Sequence, residues 1–292
     1  MIHGYRLDGT GSNIYVSNIA RELVTKGHEV NIMCQANDAD KLDFVDETYK
    51  LTGDNGSLEI ISRKKTGYKG RCRVLVPDLG GTLLVYVFDK YEGFDEVITF
   101  QEASREKILD YIDSNIKALD TITANFETDL IHANHTIMQP YIACKVSNRR
   151  GIPYVVTVHG SALNFSVRNS SFLYCFALEG IQNARSITCV SKHNKEELIQ
   201  YFKDKGDEVK KDPVVIPVGI DIGKFNIYGF KDEKEKQEDI KILARKLIKK
   251  ARTSNGGLAR REKRGFRLTP IDARIGWAQT VAGMVPATVC VS

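Results

Sequence analysis

The residues best suited to chemistry in this chain sit in four short loops. Gly9, Thr10, Gly11, Ser12 and Asn13 make the first, and Asn134 with His135 the second. His159, Gly160 and Ser161 make the third, and Ser191 and Asn194 bound the fourth. Each loop follows a stretch that reads as strand. In open α/β sheets ligands bind beyond the carboxyl ends of the strands, so the four loops are expected to converge on one crevice.

Gly9 and Gly11 carry no side chain, which lets a ligand approach the backbone. Amides at the start of the following helix favour an anion such as phosphate. The spacing Gly-x-Gly-x-Asn is not the dinucleotide fingerprint, and no acidic residue closes the second strand to hold a ribose. The same loop also fits a plain tight turn before a helix. His159 ends a strand of five residues, where it could donate a hydrogen bond or a proton near neutral pH. The alternative is a histidine satisfied by nearby backbone. Asp221 reads as a cap or turn residue, and Glu179 as a solvated or structural carboxylate in mid-helix. No Gly-x-Ser-x-Gly elbow and no Walker loop is present, which argues against an α/β-hydrolase or a P-loop enzyme. His132 and His135 form the only close histidine pair; two ligands do not make a structural zinc site, and no metal is expected.

The elements that must position these loops follow from periodicity. Val16, Ile19, Ala20, Leu23 and Val24 mark one helical face, with Ser12 or Asn13 as its cap and Gly27 at its end. Glu29–Cys34 alternates like a strand. Thr82–Phe88 reads as a buried strand, and residues 36–81 give no regular pattern. A long amphipathic helix is expected over Ser104–Phe126, with Ile108, Ile112, Ile116, Leu119 and Ile122 on one side. Strands at Leu130–Ala133, Tyr154–Val158, Ser186–Val190 and Val214–Pro217 then alternate with helices at Gln139–Arg150, Phe172–Ala184 and Lys192–Lys203. That alternation predicts an α/β fold, a Rossmann-like doubly wound parallel sheet covered on both faces.

Hydrophobic residues make up 42% of the 292 and charged residues 27%, so a core of normal size is expected. No apolar run is long enough for a membrane helix, and no secretory signal is read at the start. The six cysteines include no Cys-x-x-Cys pair and most lie in apolar segments, as buried thiols of a reducing cytoplasm would. The net charge of +5 conceals a division: residues 241–292 hold twelve Lys/Arg against two Asp/Glu, which leaves the first 240 residues at −5. The basic segment reads as solvated, with no nucleic-acid partner; peripheral contact with a membrane surface is the other partner such a run suggests.

Taken together these segments resemble glycosyltransferase family 4. Gly4-Tyr5 through Gly9-Thr10-Gly11-Ser12-Asn13, then Lys26-Gly27-His28-Glu29-Val30, is similar to that family's opening. Asp129-Leu130-Ile131-His132-Ala133-Asn134-His135, Gly151-Ile152-Pro153 through His159-Gly160-Ser161, Ala184-Arg185-Ser186 through Val190-Ser191, and Val215-Ile216-Pro217-Val218-Gly219-Ile220-Asp221 through Phe225 resemble four further segments in the family's order.

The resemblance implies the N-terminal, acceptor-side half of a GT-B fold over residues 1–225, with residues 226–292 a basic helical or disordered tail. It implies transfer of a sugar with retention from a nucleotide-sugar donor, UDP- or GDP-linked, to an unknown acceptor, without a metal or other cofactor. Gly11 would lie near the donor phosphates, His159 would contact the donor sugar as the catalytic residue, and Ser161 would line the same cleft. Three features depart from the family. The first strand is reduced to Ile2-His3 and its loss is expected to weaken the sheet; Val218 replaces the usual Asn; and the donor domain's Gly-rich strand and Glu-x7-Glu have no match after Phe225. Too few residues follow for a domain of roughly 150. The chain alone is therefore expected to be inactive, with a separate donor-domain chain as one partner. A non-catalytic acceptor- or partner-binding module is the second hypothesis, and a nicotinamide-dependent enzyme the third.

Overall fold

The computed structural model describes residues 1–52, 57–88 and 91–219. Helix α1 (Gly11–Thr25) leads to β1 (Glu29–Met33), then β2 (Glu47–Thr52), β3 (Ser57–Arg63) and β4 (Arg71–Pro77). β5 (Thr82–Val85) and β6 (Glu96–Thr99) follow, then α2 (Arg105–Asn125). The remainder alternates: β7 (Ile131–Asn134), α3 (Gln139–Arg150), β8 (Tyr154–Val158), α4 (Ser161–Phe165), α5 (Ser171–Gln182), β9 (Ser186–Cys189), α6 (Lys192–Asp204) and β10 (Val214–Val215). Asp221 and residues 226–292 lie outside the described residues.

Two half-sheets form, ordered β1-β4-β2-β3 and β10-β9-β8-β7. Every pairing in them is parallel except β2 with β3. The halves meet at Ile2, which bridges in parallel to Met33 of β1 and to Ala133 of β7. Its N–H donates to the His132 carbonyl at 2.8 Å, and the Asn134 N–H donates to its carbonyl at 3.2 Å. The first strand expected to be lost therefore survives as a stub at the centre of the sheet. To one side of Ile2 the chain winds through β1, and to the other through β7, so this is where the strand order reverses. This is a Rossmann-like α/β fold. The irregular stretch of residues 36–81 holds three strands that periodicity did not reveal, and the antiparallel β3 makes the sheet mixed.

Alternation explains why the sheet is covered twice. Val30, Ile32, Cys34, Cys72, Val74 and Val76 point to one face and pack with Val16, Ala20 and Val24 of α1. Met33, Tyr49, Leu51 and Leu75 point to the other and join Ile108, Ile112, Leu119 and Ile122 of α2. Four of the five cysteines in the described residues are buried, and all five are free. Glu179 is ion-paired to Lys145 at 2.6 Å. No described helix is long and apolar enough to cross a membrane.

Candidate active site

A cavity of about 500 Å³ opens where the strand order reverses, lined by Tyr5, Thr10, Gly11, Ser12, Tyr15, Tyr86, Val87, Phe88, Tyr91, His159, Ser161 and Val218. Two of the four predicted loops, the first and the third, line it. From the first, Thr10, Gly11 and Ser12 reach the wall, at the N-terminus of α1. The helix cap is Thr10, not Ser12 or Asn13, and its side chain makes no capping bond. The first-turn amides therefore have no intrahelical partner and lie beside the cavity. Gly9, at φ +88°, makes the turn and does not line the wall. Asn13 is buried and points inward, its amide donating to the Asp8 carbonyl at 2.5 Å and its Oδ1 accepting from His3 Nε2 at 2.8 Å.

His159 and Ser161 line the wall from the third loop. Gly160 between them sits at φ +83°, and a Cβ there would come within 2.6 Å of the Asn194 side-chain nitrogen. The backbone favours glycine here, while the close contact is with the end of a side chain that could shift. Asn194 and Ser191 do not line the cavity. Ser191 caps α6, its Oγ accepting from the Asn194 N–H at 3.1 Å, and the pair buttresses the loop that carries His159.

The second loop lies beneath. Asn134 closes β7, not a loop, and is fully buried. Its Nδ2 donates to the Ile2 carbonyl at 3.2 Å, which turns its Oδ1 toward His159 Nε2 at 3.0 Å. His159 therefore carries its proton on Nε2 and donates it to Asn134, which leaves Nδ1 as an acceptor. His135 is buried at φ +73°, and neither ring nitrogen has a hydrogen-bond partner. It stacks with His3 at 5.3 Å and lies 4.9 Å from the His159 ring.

Burial keeps these imidazoles neutral. His159 is pushed down to about 3, first by desolvation and then by His3 and His132. His3 falls to about 4 through burial, which outweighs its bond to Asn13. His132 also falls to about 4, and His135 well below the ordinary value. The proton-donating role allowed for His159 is therefore not that of an imidazolium at neutral pH: the ring acts as a fixed neutral dipole.

Sequence reasoning overlooked the aromatic half of the cavity. Tyr5 and Tyr15 flank the glycine loop, and Tyr86, Val87 and Phe88 leave the end of β5. The strand expected over Thr82–Phe88 stops at Val85, because the Tyr86 N–H donates to Tyr5 Oη at 2.6 Å instead of to a neighbouring strand. An i, i+1, i+2 apolar run at a strand's end gives no periodic signal. Only the nearness of Tyr5 to the glycine loop could have flagged that side.

The family model for glycosyltransferase family 4 matches residues 9–224. The chain belongs to glycosyltransferase family 4. An uncharacterized glycosyltransferase of Methanocaldococcus jannaschii is 26% identical over 125 residues, 41% of this chain and 35% of that protein. The chain thus spans well under two thirds of that relative's length. The family 4 match begins at the glycine loop and takes in all four predicted loops.

Proposed function

We propose that this family 4 chain contributes the acceptor-side half of a retaining glycosyltransferase, with a nucleotide sugar as donor. The reading is supported most by one observation: Thr10, Gly11 and Ser12 at the free N-terminus of α1 share a cavity with His159 and Ser161. Helix N-termini attract phosphate through unpaired amides and the helix dipole. The donor diphosphate would lie against that turn, and the sugar beside His159, whose Nδ1 accepts from a sugar hydroxyl. In the transfer the acceptor oxygen bonds to the anomeric carbon and the carbon–oxygen bond to the diphosphate breaks. The electron pair leaves with the diphosphate, which takes up the acceptor's proton. Positioning and stabilisation of the departing charge supply the catalysis.

The described cavity lining includes no Lys or Arg. A departing diphosphate needs a cation close by, and in this reading it comes from residues outside the described lining, in the same or a separate chain. That same gap supports the second reading, a module that binds acceptor without turnover.

The test is an amide-resolved magnetic resonance titration with UDP- and GDP-sugars. Shifts at Thr10–Asn13, absent with the free sugar, are expected. A protein that leaves these amides unmoved at millimolar donor does not bind donor as proposed. With a donor-binding half supplied, His159→Ala is expected to lower turnover about 100-fold at an unchanged melting temperature; wild-type rates would remove His159 from the mechanism.

A further inference from the structure

The cavity has two chemically different sides, and the proposed function uses only one. Besides the glycine loop, Tyr15, His159, Ser161 and Val218, the cavity is lined by a run of apolar and aromatic residues, Tyr5, Tyr86, Val87, Phe88 and Tyr91. Two of the tyrosine hydroxyls on this wall have protein partners. Tyr5 Oη accepts from the Tyr86 N–H, and Tyr86 Oη donates into Gln139 Oε1 at 2.6 Å and the Ile137 carbonyl. What Tyr86 offers a ligand is ring, not hydroxyl, and Tyr5 adds its ring beside it. Val87 and Phe88 continue the wall outward and are 45% and 65% exposed. The apolar surface is therefore continuous from buried rings to the mouth. None of these five residues is an Asp, Glu, Lys or Arg, so a charged group set against them, away from the α1 amides, would lose its water without gaining a partner.

We propose that this wall is an acceptor subsite for an apolar group: the hydroxyl that receives the sugar is carried by a molecule whose other portion is aryl or alkyl. This inference rests on the transferase reading. An aglycone of that kind would cover the rings and Phe88 and release their water, whereas a fully hydroxylated acceptor would leave the wall half-solvated.

The experiment uses matched glycosides of several sugars, each as the methyl, phenyl and octyl form, titrated into the whole chain. Phenyl or octyl members are expected to bind at least about tenfold more tightly than the methyl member. A gain confined to phenyl identifies an aromatic acceptor, and one confined to octyl a lipid-like acceptor; either supports the subsite. Phe88→Ser and Val87→Ser, both at exposed positions, are expected to reduce the preference to about threefold or less with the melting temperature unchanged. Equal affinity across the matched set, no binding by any member at millimolar concentration, or a preference indifferent to Phe88→Ser would overturn the proposal. UDP- and GDP-sugars are titrated into the same samples. If Thr10–Asn13 stay silent while the phenyl or octyl preference holds, the transferase reading fails and the apolar subsite stands.

Discussion

At the scale of single residues, the site is built from side chains held by partners that a motif does not reveal. Hydroxyl order around His132 shows this. Thr188 Oγ1 donates to the Val156 carbonyl, so it accepts from Thr157 Oγ1, which in turn accepts from His132 Nε2 at 2.7 Å. His132 is thereby a neutral Nε2–H tautomer, consistent with the depression of its pKa by burial. Four histidines, His3, His132, His135 and His159, are held neutral in the fold, whereas in the unfolded chain each titrates near 6.5. The unfolded state binds more protons at acid pH, so stability rises with pH across this window. Full stability is expected above pH 6.5, with progressive loss as pH falls toward 4 and 3. Urea midpoints measured from pH 7.5 down to pH 4 should fall accordingly. A midpoint that holds constant through that interval would show that these imidazoles are hydrated and not buried.

At the scale of elements, what the sequence made legible is what repeats. α3 occupies Gln139–Arg150 and β8 Tyr154–Val158, as their periodicity predicts, and α2 lies one residue inside its expected limits at each end. The loops that carry Thr10–Ser12 and His159–Ser161 could be placed because strands and helices flank them. The β2–β3–β4 region could not, since its stability comes from contacts no window displays. Glu47, nearly fully buried on β2, meets Arg63 and Arg71 at 2.7 Å and Arg73 at 3.2 Å. Burial opposes its charge, but Tyr49 and the arginines outweigh that and hold its carboxyl below the usual range. Arginine and glutamate on strands read as surface until the pairing is known. Packing of helix on helix is equally silent. A Cβ on Gly180 of α5 would lie 2.6 Å from the Tyr141 N and 2.7 Å from the Pro140 carbonyl carbon, both backbone atoms of α3. Gly180→Ala, normally favourable inside a helix, is therefore expected to destabilise by about 1–3 kcal/mol, because backbone cannot yield as a side chain would. Thermal melts of that variant would check it, and a raised melting temperature would show that α3 and α5 are less closely packed.

At the scale of the whole molecule, the two half-sheets are joined through Ile2. The α1 face of the first half has a separate apolar cluster, from Leu7 to Val76, while the other buried residues form one larger cluster. Native-state hydrogen exchange should reveal that division. Amides of β1 and β4 are expected to open with a lower free energy than those of β7, β8 and β9, as a distinct cooperative unit. A single opening energy for both would mean that Ile2 couples the halves fully. The stub has a mechanical meaning as well. Shear between the halves is resisted by the larger apolar cluster, which includes residues of both, and within the sheet by a few hydrogen bonds at Ile2, His3, Met33 and Asn134. The cavity lies directly beyond this seam, with Tyr5 and Thr10–Ser12 on the segment that follows Ile2 and His159–Ser161 on the other half. A ligand gripping both walls would work as a rivet across the joint, so that occupancy would register as stiffness of the whole sheet.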